Sequence, residues 1–289
     1  MSAEKLATEL HGILVKRIQA DQLVVPTIPA VVQRVQEVLR EGDQAALKRA
    51  PEILEQDAFL AARSLRAAAG TKGAGGQKKT TLSEVVNKLG PRGVKALLVE
   101  ASAQKVFVSR DGEIANALRR TWEHSVAVAT LARDVLALSG HADSEAAYLA
   151  GLLHDIGKPV VASVLLEAER QTTELYNRGW IPCAEWVEVI ARTHRPVGLA
   201  LAEKWQLPEG IARCLQQDLD YDNADRASLV NAVVFANALA KKSGVYVGTF
   251  DPEDVDAIVM IGRSLIGVND DVLKTLTKGL KDRVTGMFD

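Results

Sequence analysis

The sequence predicts an all-α fold, a multi-helix bundle in which an N-terminal helical layer packs on a helical core. Helix formers dominate: Ala, Leu, Val, Glu and Lys are the common residues, and β-rich runs are few. Apolar residues also recur at three-to-four spacing along most of the chain, the period of a helix with one buried stripe. With 289 residues, 47% of them hydrophobic and 25% charged, the chain can bury a large core.

The elements follow in order. Residues 3–20 carry Leu6, Leu10, Ile13, Leu14 and Ile18 on one side of an amphipathic helix. Residues 24–29 read as extended, because Pro26 and Pro29 each disfavour helix in the residue before them. A helix over 30–40 comes next, with Val31, Val32, Val35 and Val38 inward. Short helices at 44–47 and 51–54 follow, and Pro51 suits a first turn. Residues 59–69 form another helix, with Leu60 and Leu65 inside. The stretch 71–80 is rich in glycine and lysine but lacks the pattern of a phosphate-binding loop, so it reads as a surface connection. A helix that Thr81 or Ser83 can cap then opens. It breaks at Leu89, Gly90 and Pro91, and a further helix covers 92–107.

Asp111 and Gly112 mark a turn, the expected boundary between an N-terminal helical subdomain (1–112) and a second one (113–289). In the second, helices are expected over 114–138, over 144–153 and from 159 onward. One opens at Asp251 and Pro252 and runs to 265. A last amphipathic helix over 269–287 either packs on the body or pairs with a second subunit, making a homodimer.

Composition excludes several classes. Formal net charge is −2 and aromatics are 4%, so neither a broad basic field nor a set of base-stacking rings is present. Nucleic-acid and membrane partners are not expected. Residues 1–11 lack the apolar stretch of a secretory signal, and no apolar run approaches the roughly 20 residues that cross a bilayer. Cys183 and Cys214 lie far apart and form neither a disulfide framework nor a zinc site. A reduced, cytoplasmic location is the expectation.

The chemistry concentrates between Gly151 and Lys158. His154 and Asp155 stand side by side at the end of an apolar helical run, just ahead of Gly157. His124 sits among Ala127, Ala129, Leu131 and Ala132, small residues that let a neighbouring helix approach, so His124 and His154 could meet. His194, beside Arg195 and Pro196, either offers a further imidazole or lies on a loop. Imidazoles and a carboxylate borne by different helices suit a divalent metal. Such a metal lowers the pKa of a bound water and polarises a phosphoryl oxygen. The alternative is a buried polar network of His154 and Asp155, with His124 as third member, that fixes the packing of three helices. Lys158 could reach a phosphate at the mouth, with Arg195, Lys204 and Arg213 as candidates for a basic groove. Otherwise it is a solvated side chain or interacts with carbonyls of the helix it follows. Cys183 reads as a packed or semi-exposed thiol.

Together these pieces resemble the HDOD family, the HD-related output domain of bacterial signalling, within the HD superfamily of metal-dependent phosphohydrolases. The resemblance rests on the proline-containing segment 23–29, segment 55–63, and the run 82–90 ending in Leu89 and Gly90. It continues through Trp122 to Ser125, residues 150–158 and residues 198–208. It covers one HDOD unit, about residues 23–244, and implies an HD-like helical core. It also implies His124, His154 and Asp155 as metal ligands, with His194 in reach. The implied site is degraded. Related proteins often carry one or two histidines after the Trp205–Pro208 segment, and residues 211–218 have none. The superfamily's closing aspartate falls at Asn237, whose neutral oxygen is a weaker ligand for a divalent ion. The implied function is a non-catalytic signal-transduction output module that acts through a signalling protein partner and needs no cofactor. Two alternatives stay open: a metal-dependent phosphohydrolase of a nucleotide or cyclic dinucleotide, and a nucleotide receptor without turnover.

Overall fold

The computed structural model describes residues 3–20, 49–52, 54, 81–104, 112–138, 144–176, 183–205, 207–216 and 219–285. Among them every regular element is a helix. These are α1 (Ala3–Gln19), α2 (Leu82–Gln104), α3 (Gly112–Leu138), α4 (Ser144–Leu153), α5 (Gly157–Tyr176) and α6 (Cys183–Lys204). There follow α7 (Glu209–Arg213), α8 (Leu229–Lys242), α9 (Pro252–Ile266), α10 (Asp270–Thr277) and α11 (Leu280–Thr285). The all-α expectation is met. The extended segment 24–29, the helices expected at 30–40, 44–47 and 59–69, segment 55–63, loop 71–80 and Asp111 lie outside the described residues.

Two compact units form, Pro26–Lys105 and a larger one that joins Met1–Val25 to Val106–Asp289. This grouping differs from a division at residue 112, and the physical reason lies in α1. Leu10, Leu14 and Ile18 recur every fourth residue, are buried, and pack α1 against α6 of the larger unit. Ile13, expected inward with them, lies on the flank of that stripe and is 50% exposed.

In the smaller unit, α2 opens with a reciprocal cap. Thr81 Oγ1 accepts from the Glu84 amide at 3.3 Å, and Glu84 Oε2 accepts from the Thr81 amide at 3.2 Å. Of the two candidate caps, Thr81 is the one used. Gly90 (φ 65°) kinks the helix, a conformation that glycine adopts without a Cβ penalty, and Pro91 brings no N–H to continue the ladder. Val85, Val86, Val94, Ala50 and Leu54 are buried there.

In the larger unit α3 packs on α4 and α8, α5 on α6, and α8 also on α4 and α9. Trp122, Leu131, Leu152, Leu153, Ile156 and Phe235 are among its fully buried side chains. The run Ala146–Glu169 has the length and hydropathy of a membrane span (24 residues, mean hydropathy 1.4), contrary to the expectation that no run does. However, 78% of its apolar window is buried inside the fold, and it crosses the turn at residues 154–156. The helix expected over 269–287 is divided between α10 and α11, with Gly279 (φ 61°) between them. Leu280 and Val284 are buried, and α11 packs on α3 of its own chain.

Two glycines set the helix spacing around His154 and Asp155. A Cβ on Gly151 would lie 2.7 Å from the Cα of Ala129, where α4 crosses α3. A Cβ on Gly157 would overlap the carbonyl oxygen of His194, where α5 meets α6. Backbone cannot yield as a flexible side chain can, so a methyl group there forces the helices apart. Gly157→Ala is therefore expected to cost at least ~2 kcal/mol in urea denaturation. Gly12→Ala, with nothing within 4 Å, should instead be neutral or stabilising by up to ~1 kcal/mol. Similar stabilities for the two variants would contradict the close approach of α5 and α6.

Candidate functional site

Four elements deliver the polar cluster: His124 from α3, His154 and Asp155 from the turn after α4, Lys158 from the start of α5, and His194 from α6. His124, His154, Asp155 and His194 are all buried. The structure thus brings together the histidines and the carboxylate that the sequence singled out. His194 lies inside a helix and not on a loop.

Each imidazole is fixed by its Nδ1. His124 Nδ1 is 2.7 Å from the Val245 carbonyl oxygen, and His154 Nδ1 is 2.7 Å from that of Gly151. His194 Nδ1 lies 2.8 Å from Ala191 O and 3.0 Å from Ile190 O. A carbonyl only accepts, so all three Nδ1 atoms carry the proton and donate. In the neutral rings Nε2 then presents a lone pair, and all three Nε2 atoms face Asp155. His154 Nε2 is 3.4 Å and His124 Nε2 3.8 Å from Asp155 Oδ2, while His194 Nε2 is 3.3 Å from Oδ1. His124 and His154 Nε2 are buried without a hydrogen-bond partner.

Lys158 supplies the cation: its Nζ lies 2.5 Å from Asp155 Oδ2. Burial pushes His124 down to about 4 and His154 down to about 3, against the pull of the Asp155 charge. Burial also opposes ionisation of Asp155, but the Lys158 ammonium on Oδ2 counters it, and the carboxyl is held well below the usual carboxylate range.

The expected basic groove forms only in part. Arg195 donates to the carbonyls of Cys214 (3.3 Å) and Gln216 (3.1 Å), and its charge acts on His154. Lys204 donates to Ile18 O, and Arg213 pairs with Asp222 at 3.4 Å. Neither belongs to the cluster. Burial raises the Cys214 thiol to about 12, which leaves it an unreactive core residue. The surroundings of Cys183 lie outside the described residues.

Asn237 stands on α8, which packs against the helices of both His124 and His154, and its Oδ1 is buried without a partner. Asn231, six residues earlier, shows the opposite condition. Its Oδ1 accepts from Asp222 N at 2.7 Å, and its Nδ2 donates to Asp222 O and Asp225 O, each at 2.9 Å.

Three contributors were not visible in the sequence: Val245, which orients His124, and Tyr246 and Lys241 beside the cluster. The Tyr246 ring meets His124 edge-on at 5.1 Å, and Lys158 Nζ and Lys241 Nζ lie 5.2 and 4.9 Å from its centroid. The local signal for them is the pair Gly244 and Gly248 bracketing a tyrosine just after an apolar helix. A cavity of about 200 Å3 opens beside this segment, lined by Arg120, Glu123, Val245, Tyr246 and Lys281 among others.

The donor set fits a single divalent ion. The ligand atoms of His124, His154 and Asp155 lie within 4.8 Å of one another, and two of them are orphaned lone pairs. Anchoring Nδ1–H on a partner is how metal-binding histidines are held. Lys158 would have to leave Asp155 Oδ2 to admit such an ion.

An all-helical fold carrying a buried cluster of paired His and Asp defines an HD-like protein. The chain belongs to the HDOD domain family, which matches residues 25–220. An uncharacterized protein of Treponema pallidum (strain Nichols) is 26% identical over 219 residues, 74% of this chain; the chain spans about two fifths of that relative (41%). The fold is similar to that of a provisionally named metal-dependent phosphohydrolase from Shewanella amazonensis SB2B. That match has a TM-score of 0.75 at 20% identity and covers 98% of this chain and 99% of the other. It is also similar to an HDOD domain protein of unknown function from Geobacter sulfurreducens, with a TM-score of 0.64 at 20% identity over 97% and 96% of the two chains. A provisionally named signal transduction protein from Marinobacter aquaeolei VT8 matches at TM-score 0.63 and 19% identity, over 97% of this chain and 64% of the other.

The lowered imidazole pKa values set a pH dependence. A histidine free in the unfolded chain titrates near ~6.5, so below that pH the unfolded state binds protons that His124 and His154 refuse when folded. Stability should be full above about pH 6.5 and fall on acidification, by about 1.4 kcal/mol per pH unit for each imidazole, toward the folded values near 4 and 3. Urea melts between pH 7 and pH 4.5 measure this slope. A flat profile would show that the two rings are not buried in the neutral form.

Proposed function

We propose that the chain is a non-hydrolytic signal-transduction module whose polar cluster holds a conformational state and whose output is contact with a signalling protein. The observation that supports this is the Asp155–Lys158 pair. The one carboxylate of the cluster is already neutralised by a lysine of the same chain, at 2.5 Å, with its side chain only 4% exposed. Hydrolysis would need an ion with an open coordination position and an activated water, and Lys158 stands on the oxygen that would anchor it. Asn237 adds no charge in compensation.

A second reading has a specific observation of its own. The orphaned Nε2 atoms of His124 and His154 are the donors a divalent ion would take, with Asp155 as the anionic ligand. Such an ion would supply a polarised water at neutral pH. This reading makes the protein a phosphohydrolase of a nucleotide or cyclic dinucleotide.

Turnover separates the two. Protein incubated in turn with manganese, iron, magnesium and zinc is expected to hydrolyse neither nucleoside phosphates nor cyclic dinucleotides above the rate of its His154→Ala variant. Metal-dependent hydrolysis that disappears in both His154→Ala and Asp155→Ala would overturn the proposal and establish the second reading.

A further inference from the structure

Among the described residues Lys241 makes no ion pair. It lies in the last turn of α8, is only partly exposed, and among the described residues its side chain has no carboxylate or carbonyl partner. Its described contact is the ring of Tyr246, with Nζ 4.9 Å from the centroid. Lys158 Nζ lies 5.2 Å from the same centroid. Two ammonium groups thus converge on one ring, and of the two only Lys158 sits on a carboxylate.

The surroundings do not balance this charge. Burial lowers the Lys241 pKa; Asp155 works to raise it again, while Lys158 and Arg195 depress it further. Among the described residues, three cations therefore act around a single carboxylate. Glu123, the nearest acid along α3, is committed to Arg119 at 2.5 Å. A half-buried ammonium that lacks a counter-ion is costly, and an anion from solution removes that cost.

The ring between the lysines is itself held in place. Tyr246 packs edge-on against His124 and against Phe250 at 5.7 Å, and Arg120 donates to its carbonyl at 3.4 Å. Gly244 and Gly248, both at positive φ (75° and 121°), turn the chain on either side of it. This presents a fixed aromatic wall with positive charge against it, suited to a group that carries more than one negative charge.

We propose that Lys241, Lys158 and Tyr246 form a binding site for the phosphate group of a small phosphorylated ligand. The site deepens the non-hydrolytic reading, on which it rests in one respect: Lys158 stays on Asp155 while its remaining N–H groups and Lys241 meet the phosphate. The Lys241 side of the site lies on the same face of α8 as Asn237, one helical turn away. A bound phosphate therefore ties α8 to α5 and gives the cluster a ligand to report.

Calorimetric titration of the full chain at pH 7.5 and low salt tests this, with inorganic phosphate and adenosine 5′-monophosphate as probes. Saturable binding of adenosine 5′-monophosphate is expected, weakened about tenfold or more in Lys241→Met and retained in Lys241→Arg. Lys242→Met serves as control, because Lys242 pairs with Asp256 on the exposed side of the helix and should leave affinity unchanged. Tyr246→Leu should also weaken binding and supplies the comparison if Lys241→Met does not fold. Binding of inorganic phosphate with the same dependence on Lys241 would show that the phosphate group itself is recognised. No saturation by either probe at millimolar concentration, or affinity indifferent to both Lys241 and Tyr246, would overturn the site. Phosphate release measured in the same samples keeps the two ideas apart. Hydrolysis of bound probe would sink the non-hydrolytic reading and leave the site standing, while absent binding without hydrolysis would do the reverse.

Discussion

The larger unit is organised around one buried charge. Moving an isolated carboxylate out of water costs several kcal/mol even after relaxation, and only close, well-placed partners offset it. For Asp155 that partner is the Lys158 ammonium on Oδ2, while the rings of His124, His154 and His194 close around the carboxylate with their Nε2 lone pairs turned toward it. These side chains come from four different elements. The enclosed carboxylate forms only where α3, α4, α5 and α6 all reach their places, and it is tolerated there through the lysine at the start of α5.

That condition explains the small residues nearby. For His154 to reach His124, α4 must cross α3 with Gly151 against the backbone of Ala129; for Asp155 to reach His194, α5 must start with Gly157 against the His194 carbonyl. The same carbonyl environment fixes the histidines. Each Nδ1 is anchored on a backbone oxygen, so the rings cannot turn, and their lone pairs are committed to the centre of the cluster. Packing decides helix spacing, helix spacing decides tautomer and direction, and these decide which ion or ligand the cluster can meet.

The parts legible in the sequence are those carried by local pattern. The 10–14–18 stripe of α1, the Thr81 cap, the break at Gly90 and the adjacent His154 and Asp155 all follow from spacing within one or two turns. Ile13 departs from the expectation because apolar periodicity marks a broad face, while only its centre is covered by α6. The unit boundary differed for a related reason, since the burial of α1 depends on a helix about 180 residues further along. The site shows the same limit. His124, His154 and Asp155 were identifiable from residue type, but Val245 accepts from a histidine 121 residues away, and no local pattern reports that. Lys241 stands in the last turn of a helix, where basic residues are favoured, and no local pattern sets it apart. Only the fold shows it turned toward charges of its own sign. Arg213 and Lys204, equally plausible in sequence, are held by Asp222 and Ile18.

The charge balance around Asp155 accounts for a chain that keeps metal-type donors and yet places a lysine among them. With two neutral imidazoles and one carboxylate, a single ammonium brings the centre close to neutrality. A divalent ion on the same oxygen would leave an excess of positive charge, increased by Lys241 and Arg195 and by a displaced Lys158. A further carboxylate would offset that excess, and at the position where the family resemblance implies one, Asn237 is neutral. On the non-hydrolytic reading this charge balance disfavours a cation at the centre. The imidazoles pack and orient the helices, and at the proposed phosphate site Lys158 and Lys241 would meet the anion through lysine alone, without the polarised water that would cleave it.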